Sequence, residues 1–177
     1  MITLPHTGIQ VPTDRIRVTN LKAVDIGRGV AWSAVLRNNR TKLGVIANEG
    51  RGGPTRFHSD NDQAQTTTEG FIAQCRDQDG APMRRERVLD MLVDEYEISR
   101  ELANAERRNA YYVRHFNRAD FPGRLTFTLP ASAPPDYEPA LTAAPHLDLP
   151  EQTVCAQLWM GDDRGWVEFL HTDPTPE

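Results

Sequence analysis

Lysine is almost missing from this 177-residue chain, with two lysines against eighteen arginines, and only two cysteines occur, Cys75 and Cys155. Two distant cysteines exclude a disulfide framework and a paired-cysteine metal site, so both are expected as small buried hydrophobes. No apolar run approaches the roughly 20 residues that a membrane-spanning helix requires. The opening stretch MITLPHTGIQVPTDR has no basic segment followed by an apolar one, so a cytoplasmic protein is expected, with no membrane among its partners. The five histidines are scattered, and neither a Gly-x-Ser-x-Gly elbow nor a phosphate-loop or dinucleotide glycine spacing is present. No catalytic residue, metal site or cofactor can therefore be assigned from the sequence, and a binding protein is expected before an enzyme.

The apolar fraction of 38% and charged fraction of 25% are those of a globular domain on the polar side of the usual range. The length suits one domain with a real core. We divide it into an α+β core over 1–130, a proline-rich connector over 131–152 and a C-terminal β-hairpin over 153–177 packed on that core. The net charge of −5 is unevenly spread, since residues after 130 hold nine acidic side chains and a single basic one, Arg164. The first 130 residues carry 19 basic and 16 acidic groups, far from the dense basic footprint of a nucleic-acid binder.

Hydrophobic periodicity places the elements. IRVTNLKAVD (16–25) reads as a strand whose alternation breaks near Asn20, which predicts a bulge. GVAWSAVLRNNRTKLGVIAN (29–48) reads as a hairpin about Asn38-Asn39, residues that tolerate the positive φ of a tight turn. With those two as the loop, Val30, Trp32, Ala34 and Leu36 lie opposite Ala47, Val45, Leu43 and Thr41 on the core face, and Arg37 meets Arg40. Ser59 or Asp60 is the expected cap of a helix with apolar positions Ala64, Phe71, Ile72 and Cys75, stopped by Gly80. Pro82 opens a longer helix of about 20 to 25 residues carrying Val88, Leu89, Leu92, Tyr96 and Leu102. AYYVRHF and RLTFTLP return to a sheet. A closing hairpin forms around Gly-Asp-Asp-Arg-Gly, and Val154, Leu158, Trp159, Trp166 and Phe169 are too apolar for a free tail. The fold class is α+β, an antiparallel β-meander packed against two helices, with later strands and a C-terminal β-hairpin.

One arrangement suggests a ligand. In a meander, the turn after the first strand and the exit from the third lie at the same end, and both carry Gly-Arg-Gly: DIGRGV (25–30) and NEGRGG (48–53). At about 4.8 Å per strand the loops stand about 10 Å apart, within reach of a shared anion. Arg28 and Arg51, backbone N–H groups at Gly50, Gly52 and Gly53, and the downstream Arg56 and His58 are the candidate anion ligands. Glu49 opposes them, and the same composition is also that of an ordinary turn.

Other patterns are weaker. Asp77, Asp79, Gly80 and Glu86 fall at calcium-loop positions 3, 5, 6 and 12, but Cys75 stands at position 1 and Pro82 interrupts the loop, so a turn between helices is expected. His58, Asp60 and Asp62 offer a metal-assisted hydrolase as an alternative, although capping explains the aspartates. YYVRHF sets Tyr111, Val113 and His115 on one face and Tyr112, Arg114 and Phe116 on the other, a pattern that serves core packing or base stacking.

The meander WSAVLRNNRTKLGVIANEGRGGPTRFH, the helix LVDEYEISRELANAERRN and the strand AYYVR together resemble a set of small uncharacterised accessory proteins of bacteriophages and bacterial mobile elements. These share the strand-turn-strand, an Asn-x-Gly-x-Gly-Gly exit, helices and a late strand. The resemblance spans about residues 16–116 and carries over only Asn48, Gly50, Gly52 and Gly53, as the shared loop. It implies an accessory product that binds a host protein, nucleic acid or nucleotide, including a component of a host defence system. A virion or assembly component is a further alternative.

Overall fold

The computed structural model describes residues 1–172; residues 173–177, grouped above with the C-terminal hairpin, lie outside them. The fold is α+β, with ten strands in antiparallel sheets and three helices among the described residues. The chain divides into two compact units, Met1–Ser99 and Arg100–Glu177.

The first unit is built on a meander of β3 (Ile16–Asp25), β4 (Val30–Asn38), β5 (Thr41–Asn48) and β6 (Arg56–Ser59), paired in chain order. A short ladder of β1 (Ile2–Thr3) and β2 (Gln10–Val11) precedes it. Val18, Ala34, Leu36 and Ile46 of the meander share one core with Phe71 and Ile72 of α1 (Asp62–Gln74) and Val88, Leu89 and Leu92 of α2 (Arg85–Arg107). The helix stripes are thus the ones the periodicity predicts. At the start of the unit, the Glu95 carboxylate of α2 accepts from the His6 and Thr7 amides, the latter at 2.8 Å, and from Thr7 Oγ1 at 2.9 Å.

The bulge expected near Asn20 is present: the β3–β4 register shifts between Thr19 and Lys22, and Asn20 has φ +53°. The hairpin register differs from expectation. Asn38 pairs with Thr41, so the loop is Asn39-Arg40, with Asn39 at φ +51°. A second shift between Leu36 and Arg37 then sets Leu36 opposite Gly44 and Ala34 opposite Ile46. Ile46, rather than Val45 and Ala47, consequently fills the core face, and Arg37 stands opposite Lys42 instead of Arg40, its Nη1 donating to the Arg40 carbonyl at 2.9 Å. Gly44 is required at the shift, because a Cβ there would stand 2.2 Å from the His58 carbonyl oxygen.

The helix boundaries also move. Asn61 caps α1, its Oδ1 accepting from the Ala64 amide at 2.9 Å, while Ser59 ends β6 and Asp60 pairs with Lys42 at 2.9 Å. The helix stops at Gln74, before Gly80, because Arg76 exchanges backbone hydrogen bonds with Gln10. Gly80, at φ +84°, sits in a turn tied by Asp77, whose Oδ1 accepts from the amides of Asp79 (3.0 Å) and Ala81 (2.7 Å). That carboxylate therefore serves the turn between the helices. Pro82 precedes α2 in an isolated bridge with Arg76, and the helix itself opens at Arg85.

The second unit is a sheet in the order β10 (Trp166–His171), β9 (Thr153–Trp159), β7 (Tyr111–Asn117), β8 (Pro122–Phe127). Tyr111, Val113, Leu158 and Met160 form its core, with Val167 and Phe169 packed against them. Trp159 is also buried, so the closing hairpin is structural. The stretch read as a proline-rich connector contains α3 (Glu138–Ala143) and a 3₁₀ turn (Ala144–His146), with Ala140 and Ala144 fully buried. Tyr111 fastens it, its hydroxyl donating to the Asp136 carbonyl at 2.8 Å and lying 2.9 Å from Ser132 Oγ. On the opposite strand face the Arg114 guanidinium stacks over Trp166 at 4.0 Å and Phe116 at 5.6 Å. Core packing and cation–π contact account for YYVRHF.

Candidate anion-binding corner

The β3–β4 loop is held by its own polar groups. Asp25 Oδ1 accepts from the Gly27 amide at 2.7 Å, the Ile26 amide donates to the Gly29 carbonyl at 3.0 Å, and Gly27 takes φ +81°. Asn48 organises the exit from β5. Its Oδ1 accepts from the Gly50 amide (2.8 Å), and its Nδ2 donates to the Gly53 carbonyl (3.2 Å) and to Thr55 Oγ1 (3.0 Å). The buried Thr55 hydroxyl in turn donates to Asp90 of α2 at 2.5 Å. Gly50 and Gly52 take positive φ, +68° and +79°. A chain of side-chain hydrogen bonds thus fixes the loop to the helix behind it.

The two loops touch. A Cβ on Gly29 would lie 2.2 Å from the Gly50 carbonyl oxygen, and one on Gly50 would lie 2.5 Å from the Val30 backbone. The Gly-Arg-Gly segments therefore occupy a single corner of the first unit. Arg28, Arg51, Arg56 and His58 are exposed, and their side chains make no hydrogen bond or ion pair among the described residues. Arg56 and His58 share one face of β6, opposite Ala47 and Val45. Gly52 and Gly53 have open space where a side chain would begin. The Gly50 amide is committed to Asn48, so of the three expected glycine donors those of Gly52 and Gly53 remain, and Glu49 stands exposed beside them.

Two features of the corner carry no motif in the sequence. Asp25 and Asn48 set the loops by Asx-type bonds, legible only as polar residues before glycine. The last four residues of β3 are exposed on both faces, as is Val30 at the start of β4. Val24, Ile26 and Val30 are exposed at 64%, 39% and 50% near Arg28, with Val24 and Val30 on opposite faces of the β3–β4 ribbon.

At the other end of the same sheet, Arg15, Arg17, Asn38, Asn39, Arg40 and Thr41 line an open surface depression. The ligand atoms of His58, Asp60 and Asp62 do not form a close group among the described residues. Among the described residues, metal-ligating side chains converge instead at Cys155, Glu168 and His171. Cys75 is fully buried as expected, and burial pushes its thiol up to about 11. Cys155 departs from expectation in being only half-buried, with its thiol donating to Glu168 Oε2 at 3.1 Å.

No family model, curated protein or solved structure matches the chain.

Proposed function

We propose that this is a non-enzymatic binding protein that holds a macromolecular partner at the tip of the β3–β4 ribbon, with Arg28 and Arg51 taking an anionic group on that partner. The carrying observation is the contact of Gly29 with Gly50, which sets two unpartnered arginines on adjoining loops. Gly52 and Gly53 add backbone donors, and Arg56 and His58 lie just downstream on β6. Exposed Val24, Ile26 and Val30, on both faces of the ribbon tip, favour a macromolecule that wraps the tip over a free nucleotide, because burying them gains roughly 25 cal/mol per Å² of apolar surface. In the phage-type accessory reading the partner is a host component.

The test compares wild type with an Arg28→Ala/Arg51→Ala double variant. Binding is measured by fluorescence anisotropy on labelled DNA and RNA and by quantitative capture of partners from host lysate. Affinity for the captured partner should fall at least tenfold, since a charge-assisted hydrogen bond contributes roughly 1.5–3 kcal/mol. Unchanged capture together with a lower melting temperature would reduce the corner to a turn.

A second reading places the anion at the opposite end of the meander, in the open depression beside Arg15, Arg17 and Arg40. An Arg15→Ala/Arg40→Ala variant separates the two, since each pair of substitutions should weaken binding only at its own end.

A further inference from the structure

We propose that Cys155, Glu168 and His171 form a binding site for Zn²⁺ or a cation of the same thiophilic class. The site belongs to the second unit and does not depend on the reading of the Gly-Arg-Gly corner.

Strand register builds it. Cys155 of β9 lies directly opposite His171 of β10, and Glu168 lies opposite Gln157, two residues from Cys155 along β9 and therefore on the same face. Positions 168 and 171 of a regular strand would point to opposite faces. The register shift between Glu168 and Leu170 inserts the extra residue that turns both side chains to one side. Phe169 packs on the core beside the shift, and Leu170 pairs with the buried Ala156. The bulge is thereby fixed from behind.

One ligand atom from each of the three residues lies within 4.8 Å of the others. Cys155 Sγ stands 3.1 Å from one carboxylate oxygen of Glu168, and His171 Nδ1 stands 3.3 Å from the other. With Zn–S near 2.3 Å and Zn–N and Zn–O near 2.0–2.2 Å, neighbouring ligands of a tetrahedral ion stand roughly 3.2–3.8 Å apart. The two Glu168 distances are already near that range, and all three ligand atoms lie within 4.8 Å, so side-chain rotation can bring them to that geometry.

The donor set selects the ion. A thiolate disfavours Mg²⁺ and Ca²⁺, while sulfur, imidazole and one carboxylate suit Zn²⁺, with water completing the fourth position. Binding replaces the Cys155 thiol proton, which leaves to solvent, and cross-links the edge strand β10 to β9. The Asp120 carboxylate acts on the same sulfur with favourable sign for a cation, the Arg114 guanidinium with the opposite one. Arg114 is turned toward Gln157, at 2.6 Å, and over the Trp166 ring.

Reduced, chelator-treated full-length protein titrated with Co²⁺ tests the site. Wild type should bind about one equivalent, with the near-ultraviolet absorption of a cobalt-bound thiolate that Zn²⁺ then bleaches. Cys155→Ser should abolish that absorption, and Cys75→Ala should leave it unchanged. Glu168→Gln and His171→Ala, both at exposed positions, should each weaken binding more than about tenfold, since even residues behind a metal ligand contribute that much. Circular dichroism of each metal-free variant reports the fold, and the two exposed substitutions decide the matter if Cys155→Ser unfolds. Absence of the thiolate absorption in wild type, its survival in folded Cys155→Ser, or unchanged affinity in both Glu168→Gln and His171→Ala overturns the proposal.

Discussion

A Cβ placed on Gly29 would stand 2.2 Å from the carbonyl oxygen of Gly50, so the two Gly-Arg-Gly loops meet backbone to backbone. The glycines of the corner consequently differ in what they tolerate. Gly50→Ala meets both the Val30 backbone and an unfavourable φ of +68°, and should cost about 2–4 kcal/mol. Gly53→Ala meets nothing and should stay within about 0.5 kcal/mol. Urea denaturation of the two variants checks the ranking, and equal costs would show that the loops separate in solution.

Asn48, Thr55 and Asp90 make a second, polar tie across the same corner. The Thr55 hydroxyl accepts from Asn48 and donates to Asp90, so Thr55→Val leaves an amide donor and a carboxylate without that partner. The loss should be about 1–3 kcal/mol, because a buried polar group deprived of its bond costs more than the bond contributes. Asn48→Ala frees the Gly50 amide and the Gly53 carbonyl as well, and should speed hydrogen exchange at Gly50. Unaltered exchange there would mean that the glycine contacts alone hold the loop.

Much of this fold was legible because periodicity and local chemistry are local properties. The stripe through Val88, Leu89 and Leu92, the Asn20 bulge and the closing hairpin all follow from residues a few positions apart. What was not legible depends on pairing across distance. The hairpin about Asn39 takes a register in which Gly44, having no Cβ, can pass the His58 carbonyl, and alternation alone carries no trace of that approach. Arg76 ends α1 by pairing with Gln10, a partner far away in sequence. The proline-rich stretch hides α3, whose small Ala140 can be fully buried although nothing around it reads as a stripe. Cys155, Glu168 and His171 stayed invisible for the same reason, since only a bulge in β10 puts Glu-x-x-His on one strand face. The Gly-Arg-Gly corner was readable because meander topology alone brings those two loops to one end.

Alkaline pH should weaken the protein through Cys75. Burial favours the neutral thiol and pushes its pKa from 9.0 to about 11, with Arg76 opposing the shift. A pKa raised on folding gives a contribution that is whole below about pH 9 and lost as pH rises toward 11, amounting to about 2–3 kcal/mol. Urea midpoints measured from pH 8 to 11 should therefore fall more steeply for wild type than for Cys75→Ala. Parallel curves would assign the alkaline loss to other groups.

Truncation after Pro130 should cost the second unit its fold. The sheet order places β7 between β8 and β9, so removing residues 131–177 strips one side of the strand that carries Tyr111 and Val113, both fully buried. Leu158 and Met160 leave the core, together with Val167 and Phe169 packed against it and the Ser132 and Asp136 partners of the Tyr111 hydroxyl. At about 1.5–3 kcal/mol for each large apolar side chain, the loss is comparable with the whole stability of a small domain. The remaining strands β7 and β8 form a two-stranded ribbon, which is marginal in water by itself. The truncated protein should show a lower soluble yield and should bind the dye ANS, reporting exposed apolar surface, where the full chain does not. A truncated chain that stays soluble, excludes ANS and keeps the amide protection of Val113 would show that the second sheet does not need its C-terminal hairpin.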